Sequence, residues 1–240
     1  MDTSVLLLFD IDGTLVSGAT DAHRDAMHEA LREVHGVDAT RVMRRPLAPA
    51  GRTDPEIARA ILLDAGISAE RIDDRADDVR ERCFRAYARL CPEDLSGTVL
   101  PGIAPVLERL SARPEAKLGL LTGNYEVVAR LKLARAGLGG HFPSGQGAFG
   151  SDAEDRAALP AIARRRAGVV GVPHRRQHTI VIGDTPRDIA CARADDVHCV
   201  AVATGPFAAE QLEGADAVAA DAPELGRLLD DEVSRLTAGG

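Results

Sequence analysis

The sequence predicts an α/β fold in which a parallel sheet is covered by helices on both faces. Three observations support this prediction. Short apolar segments that end in polar loops recur along the chain, helical patterns follow most of them, and one long helical stretch interrupts the alternation near the beginning. The chain has 240 residues, which is long enough for one large domain or two smaller ones.

The first predicted strand covers the apolar residues 5–8 and leads into Asp10-Ile11-Asp12-Gly13-Thr14. Two carboxylates therefore stand where this strand ends, and the Gly-Thr pair turns the chain away. Open α/β sheets bind their ligands beyond the carboxyl ends of the strands. The two aspartates suit a divalent metal ion and a phosphoryl group there, although an Asp-Gly turn can also simply close a strand.

Residues 18–96 interrupt the alternation because they contain helical patterns and no convincing strand. One of these helices begins at Thr53-Asp54-Pro55-Glu56, a capping box with proline in the first turn. We therefore predict an inserted helical domain over 18–96 and an α/β core domain formed by 1–17 and 97–240. The helical patterns of the insert cover residues 22–34, 54–65 and 68–90.

The rest of the chain returns to alternating strands and helices. Polar loops follow the predicted strands, among them Thr122-Gly123-Asn124 and Gly183-Asp184-Thr185-Pro186. Strands are predicted over 117–121, 146–149, 178–182 and 197–203. Helices are predicted over 125–136, 155–166, 187–194 and 223–236.

Composition excludes several classes of function. The net charge of −8 argues against nucleic-acid binding, which depends on Lys and Arg, and no apolar run approaches the ~20 residues of a membrane span. The four cysteines lack Cys-x-x-Cys spacing, so we expect reduced thiols in a cytoplasmic protein, and neither a disulfide frame nor a zinc site. A monomer or a homodimer is expected. The cysteines are Cys83, Cys91, Cys191 and Cys199.

Three carboxylates are candidates for a magnesium site. Asp10 and Asp184 each end a predicted strand, and Mg²⁺ in proteins is held by a few carboxylates together with water and substrate oxygens. Asp188 follows Asp184 by four residues, so it lies one helical turn farther on and can point back to the same place. Thr122, Gly123 and Asn124 open a helix, where phosphate oxygens find free N–H groups.

Cleavage of a phosphate ester also needs a cation for the transferred oxygens. The chain has two lysines, of which Lys117 precedes a strand and Lys132 lies within a helix, away from its start. Arg156 precedes the helix that leads to the Asp184 loop, and arginine can hold phosphate oxygens with two hydrogen bonds. We therefore assign this role to Arg156. Alternative candidates are Arg52, Arg130 and Arg164.

With these motifs, the chain resembles the phosphatases of the haloacid dehalogenase superfamily, in the branch of phosphoglycolate phosphatase-like and β-phosphoglucomutase-like enzymes. The resemblance rests on Asp10-Ile11-Asp12-Gly13-Thr14, on Thr122 and on Gly183-Asp184-Thr185-Pro186-Arg187-Asp188. It implies a Rossmann-like core, a helical cap formed by the insert, and Mg²⁺-dependent hydrolysis of a small-molecule phosphate monoester. The chain departs from the family at Arg156, where a lysine is usual.

The resemblance also implies roles for individual residues. Asp10 attacks phosphorus to form an aspartyl-phosphate, while Asp12 protonates the leaving oxygen and then activates water. Mg²⁺ is held by Asp10, Asp184 and the backbone carbonyl of Asp12, with Asp188 as support. The Thr122-Gly123-Asn124 loop and Arg156 bind phosphate. Since Asp12 lies near another carboxylate and a phosphate group, its pKa is expected to be raised.

The predicted cap is expected to select the substrate. Arg52, at the start of a cap helix, would meet an acidic group of the substrate or would only cap the helix. His23, early in the first cap helix, lies near the place where phosphomutase relatives carry a histidine, although a packing role is more common. Alternative functions are therefore a phosphomutase acting on a sugar phosphate or a catalytically idle phosphate-binding protein.

Overall fold

A parallel sheet of six strands forms the centre of the computed structural model, which describes residues 4–42 and 48–238. The strands are β1 (Val5–Phe9), β2 (Ala116–Thr122), β3 (Ala148–Phe149), β4 (Thr179–Gly183), β5 (His198–Val202) and β6 (Ala217–Ala219). Their order across the sheet is β3-β2-β1-β4-β5-β6, and all pairs are parallel. The predicted α/β fold is confirmed.

Strand β1 lies in the middle of the sheet and is buried along its whole length. Its side chains alternate between two apolar layers: Leu7 and Phe9 pack into one cluster, whereas Leu6 and Leu8 pack into the other. A continuous apolar run is typical of a parallel strand that is covered on both faces. This burial explains why the run at the start of the chain could be recognised as a strand.

Helices cover both faces of the sheet. Helices α6 (Ile103–Ser111) and α10 (Ala222–Ala238) contribute Val106, Leu107 and Leu229 to the layer that contains Leu7. The opposite layer receives side chains from α8 (Leu159–Ala167) and α9 (Pro186–Ala194). Helix α7 (Glu126–Arg135) follows β2.

Residues 18–96, here called the helical segment, contain helices and no strand in their described part. The helices of this segment are α1 (Asp21–His35), α2 (Ala39–Val42), α3 (Asp54–Asp64), α4 (Ala69–Asp74) and α5 (Ala76–Leu90). Helix α1 packs along α5, where the rings of His23 and Tyr87 meet edge to face at 5.6 Å. The chain leaves and re-enters the sheet region at adjacent points, since the Ser17 amide donates to the carbonyl of Thr98 at 2.8 Å. The division into two domains stays a prediction.

Four differences separate the structure from the sequence-based prediction, and one of them is the four-residue helix α2, which was not predicted. The single helix predicted over 68–90 is two helices, α4 and α5, which meet at Arg75. Helix α6 was missed, although its apolar residues recur with helical spacing after Gly102, a glycine with φ of +86°. Strand β6 was missed because it is three residues long and lies at an edge of the sheet.

No helix among the described residues is long and apolar enough to cross a membrane. The four cysteines are free and buried.

Replacing a β1 side chain by alanine should destabilise the protein to a similar extent on either face of the sheet. We expect Leu7→Ala and Leu8→Ala each to lower the free energy of unfolding by roughly 2–5 kcal/mol, because both side chains are fully buried in well-filled layers. Urea denaturation measures this change. Leu63→Ala is the matched control. Because Leu63 is 48% exposed, this substitution should change the free energy of unfolding only slightly. A small effect at Leu8 alone would show that the second layer is loosely packed.

Candidate active site

Three buried carboxylates meet at the carboxyl edge of the sheet. Asp10 directly follows β1, Asp184 directly follows the neighbouring strand β4, and Asp188 lies in the first turn of α9. One oxygen from each lies within 4.8 Å of the others. The structure therefore brings together the three aspartates that the sequence placed at strand ends and one helical turn beyond.

The Asp188 carboxylate is fixed by the cap of its own helix. Its Oδ2 accepts hydrogen bonds from the amide and the hydroxyl of Thr185, at 3.0 and 2.7 Å, and the Thr185 hydroxyl in turn accepts the Asp188 amide. Its Oδ1 accepts a hydrogen bond from Arg156. Both oxygens are thus engaged, which fixes the orientation of the Asp188 side chain.

Asp184 is buried, and within the described part of the chain one of its two carboxylate oxygens is unsatisfied. Its Oδ1 accepts the Thr14 hydroxyl at 3.2 Å, but its buried Oδ2 has no hydrogen-bond partner among the described residues. Gly13, with φ of +90°, leaves room for this oxygen, because a β-carbon at Gly13 would lie 2.2 Å from it. A buried carboxylate oxygen with no donor is a position that suits a cation.

The pKa values of the clustered carboxylates also indicate a site that suits a cation. Burial, together with the charges of Asp188 and Asp12, raises the pKa of Asp10 to about 6, although Arg156 opposes the shift. Burial and the charges of Asp10 and Asp188 raise the pKa of Asp184 to about 8. Negative charge is therefore in excess here, and an all-oxygen donor set is the kind that holds a hard divalent cation such as Mg²⁺.

Arg156 lies between β3 and α8 and is buried against the cluster. Its guanidinium donates to Asp188, and its Nη2 lies 3.3 Å from Asp10 Oδ1. Burial alone would lower the pKa of Arg156, but the two carboxylates raise it above its ordinary value, so the side chain stays charged. The assignment of Arg156 to this site thus agrees with its position.

Two alternative arginines lie elsewhere and have other partners. Arg130 donates to backbone carbonyls of the loop before β3, among them that of Phe142 at 2.7 Å. Arg164 forms a buried ion pair with Asp195. Neither takes part in the carboxylate cluster.

The pKa of Asp12 differs from the sequence-based expectation. Burial alone would raise its pKa, but the Lys132 ammonium, 2.7 Å from both carboxylate oxygens, more than offsets this effect and lowers the pKa below its ordinary value. The predicted upward shift is therefore wrong for the protein by itself. The sequence analysis set Lys132 aside because it lies in the middle of a helix, yet its side chain is fully buried and reaches Asp12.

The loop after β2 contributes polar groups on the other side of Asp12. The buried Thr122 hydroxyl accepts the Asn124 amide at 3.3 Å, and the Asn124 side chain donates to Asp12 Oδ2 at 3.1 Å. Gly123 allows a close approach, since a β-carbon there would lie 2.0 Å from the carbonyl oxygen of Arg52. The predicted loop therefore lies beside Asp12 and under the helical segment.

Arg52 lines the cavity above the carboxylates, but a neighbour already binds it. Its guanidinium forms an ion pair with Glu56 one turn along α3, and its Nε donates to the carbonyl of Ala48 at 3.1 Å. The cavity has a volume of about 520 Å³. The helical segment contributes Thr20, His23, Met27, Arg52 and Ile57 to its walls.

Asp54 joins the helical segment to the loop after β2, a role that the sequence analysis did not predict. It is 3% exposed, and its Oδ2 accepts the Tyr125 amide at 2.7 Å and lies 3.0 Å from His23 Nε2. Its own amide donates to the carbonyl of Gly123 at 2.8 Å. The capping box predicted only that Asp54 lies in the first turn of a helix. In the structure, hydrogen bonds from and to Asp54 also attach α3 to the loop after β2. His23 takes a packing and hydrogen-bonding role here.

Comparisons with known proteins match this description. Residues 5–194 match the model of the haloacid dehalogenase-like hydrolases. A phosphoglycolate phosphatase of Rhodospirillum rubrum is 32% identical, with 83% of this chain and 79% of the relative covered. A phosphoglycolate phosphatase of Chromobacterium violaceum is 30% identical, with 90% and 92% covered. The crystal structure of β-phosphoglucomutase from Clostridium difficile shares the fold, with a TM-score of 0.66, 16% identity and coverage of 97% and 98%.

The raised pKa values give a stability that depends on pH. The folded protein keeps a proton on Asp10 from pH about 4 to about 6 and on Asp184 from pH about 4 to about 8, whereas the unfolded carboxyls, with a usual pKa of 3.8, have lost theirs in these windows. Because the folded state then binds more protons, the contribution of these two groups to the free energy of unfolding falls as pH rises through these windows.

Urea denaturation in a chelating buffer, repeated with the Asp184→Asn variant, tests this prediction. The difference between the two proteins isolates the contribution of Asp184, so the variant should lose less stability on going toward pH 8. Added Mg²⁺ should stabilise the wild type most at the alkaline end. A wild type that loses no more stability than the variant would contradict the prediction.

Proposed function

The chain belongs to the haloacid dehalogenase-like hydrolase family and is a phosphatase, and we propose that it hydrolyses a small-molecule phosphate monoester with Mg²⁺ through a phosphoryl group carried on Asp10. One observation carries the proposal. Asp10, Asp184 and Asp188 meet beside the buried Arg156 guanidinium, and Asp10, Asp184 and Arg156 line a cavity that can admit a substrate.

The metal would be held by the carboxylates of Asp10 and Asp184 and by the backbone carbonyl of Asp12. The unpartnered Asp184 Oδ2 and the excess negative charge support this donor set. When bound, Mg²⁺ supplies positive charge that offsets the negative charge of the phosphate. Asp188 would keep Arg156 and the metal side of the site in place.

Asp10 acts as the nucleophile. One of its oxygens forms a bond to phosphorus while the bond from phosphorus to the leaving oxygen breaks, and the leaving oxygen takes a proton from Asp12. In the second half of the reaction, a water oxygen bonds to phosphorus, Asp10 departs, and the water proton passes to the Asp12 carboxylate. Splitting the displacement into two steps regenerates both aspartates.

Asp12 must carry a proton in the first step, whereas by itself the protein holds Asp12 ionised. The negative charge of an incoming phosphate beside Asp12 favours its protonated form, which supplies the acid for the leaving group. Once Asp12 has given up this proton it is a carboxylate, which is the form that can accept a proton from water in the second step. Arg156 and the Thr122 hydroxyl would hold the phosphate oxygens during both steps.

Substrate choice would depend on the helical segment. We propose that residues 18–96 form a cap domain over a core of residues 1–17 and 97–240, and that Arg52, when it leaves Glu56, meets an acidic group of the substrate. Both curated relatives are named for phosphoglycolate, which carries such a carboxylate, so phosphoglycolate is the first ester to test. Action in the cytoplasm, as a monomer or a homodimer, stays a prediction.

Phosphate release from a panel of esters tests the proposed chemistry. We expect Mg²⁺-dependent release by the wild type, with phosphoglycolate in the panel, and loss of nearly all of it in Asp10→Asn, which removes the nucleophile. Asp74→Asn, a change at an exposed aspartate of α4, is the matched control and should keep full activity. Release that survives in Asp10→Asn would refute the covalent route. An isomerised sugar phosphate without free phosphate would instead indicate a phosphomutase.

Asp12→Asn should separate proton transfer from metal binding. We expect turnover to fall by roughly 100-fold or more, because the amide cannot exchange a proton with the leaving oxygen. Affinity for Mg²⁺, measured by titration calorimetry, should remain close to that of the wild type, because only the backbone carbonyl of Asp12 would bind the ion. A parallel loss of metal affinity would mean that the Asp12 carboxylate is itself a ligand.

A further inference from the structure

Lys132 is a buried cation for which the reaction described above has no task. Its side chain, on α7, is 0% exposed. The ammonium lies 2.7 Å from each oxygen of Asp12 and 2.9 Å from Asn124 Oδ1. An ammonium has three N–H donors, so these three acceptors satisfy it completely. A buried charge is costly without such partners, which makes this a site built around a lysine.

The contact fixes the carboxylate of Asp12. Lys132 holds both of its oxygens, and the Asn124 side chain donates to Oδ2 at 3.1 Å as well. The Asp12 side chain nevertheless remains 26% exposed and lines the cavity. One edge of the carboxylate is therefore held by α7 and the loop after β2, while the group stays open toward the space where a substrate would lie.

We propose that Lys132 is a positioning residue for the reaction, which holds the Asp12 carboxylate in the orientation needed to exchange a proton with the leaving-group oxygen. This inference rests on the proposed function. Lys132 keeps its three protons throughout: the proton given to the leaving oxygen comes from Asp12, and the proton taken from water returns to Asp12. Through Asn124, Lys132 also ties Asp12 to the loop that contains Thr122.

The geometry explains why lysine, and not another residue, occupies this position. The three acceptors surround a single point, which suits a compact ammonium, whereas the guanidinium of arginine is planar and spreads its donors along a fork. Methionine has a similar length but donates no hydrogen bond. Lys132→Met therefore removes the hold on Asp12, and Lys132→Arg keeps the charge but displaces the carboxylate.

The test is the dependence of kcat/KM on the leaving group, measured with substituted phenyl phosphates whose phenols differ in acidity. This ratio reports the steps up to formation of the phosphorylated Asp10, in which a poor leaving group needs a proton and a good one does not. We expect Lys132→Met to lose roughly 100-fold with the poorest leaving group and less than about tenfold with the best. Lys132→Arg should change in the same direction.

Lys117→Met is the matched control. Lys117 is half-buried in β2, near the end opposite to Thr122, and its variant should keep the leaving-group dependence of the wild type. Thermal unfolding shows whether each variant folds; if Lys132→Met does not, Lys132→Arg provides the test. A uniform loss across the whole series would overturn the positioning role while the proposed function stands. A wild type that hydrolyses no ester at all would overturn both.

Discussion

The mutual repulsion of buried carboxylates is the constraint to which the rest of this structure responds. Asp10, Asp184 and Asp188 are nearly inaccessible to water and close enough to raise the pKa values of Asp10 and Asp184. The parallel sheet enforces the arrangement because β1 and β4 are neighbours and end side by side. Arg156 and the capping box at the start of α9 offset part of the repulsion. The repulsion that remains is what a bound cation would relieve in the proposed function.

The charged groups of the site form two separate sets. One set joins Arg156 to Asp10 and Asp188, and the other joins Lys132 to Asp12. Both cations are buried and hydrogen-bonded or ion-paired to their carboxylates, which fixes the geometry of each set, although Asp12 itself remains 26% exposed. In the proposed mechanism, this separation would let Asp10 act on phosphorus while Asp12 transfers protons, although only one residue lies between them in the sequence.

The sequence predicted those parts of the site that depend on local pattern. Asp10 and Asp184 end apolar runs, and Asp188 lies one helical turn beyond Asp184, so their meeting follows from the rules of parallel sheets. Lys132 was missed even though it shares the buried face of α7 with Val128 and Leu133. A lysine on an apolar stripe signals a buried partner, but the identity of that partner depends on how α7 packs against the loop after β1, which no local pattern specifies. The role of Asp54 was missed for the same reason.

The two tyrosines of the chain lie near the junction between the helical segment and the sheet region, so their fluorescence reports on this junction. The chain has no tryptophan, and its tyrosines are Tyr87, against His23, and Tyr125, whose amide binds Asp54. Both rings are nearly inaccessible to water. Intrinsic fluorescence therefore reports on this junction and is nearly blind to the rest of the molecule. Separation of the helices from the sheet would expose both fluorophores to solvent together, so a ligand-driven movement could be followed without any attached dye.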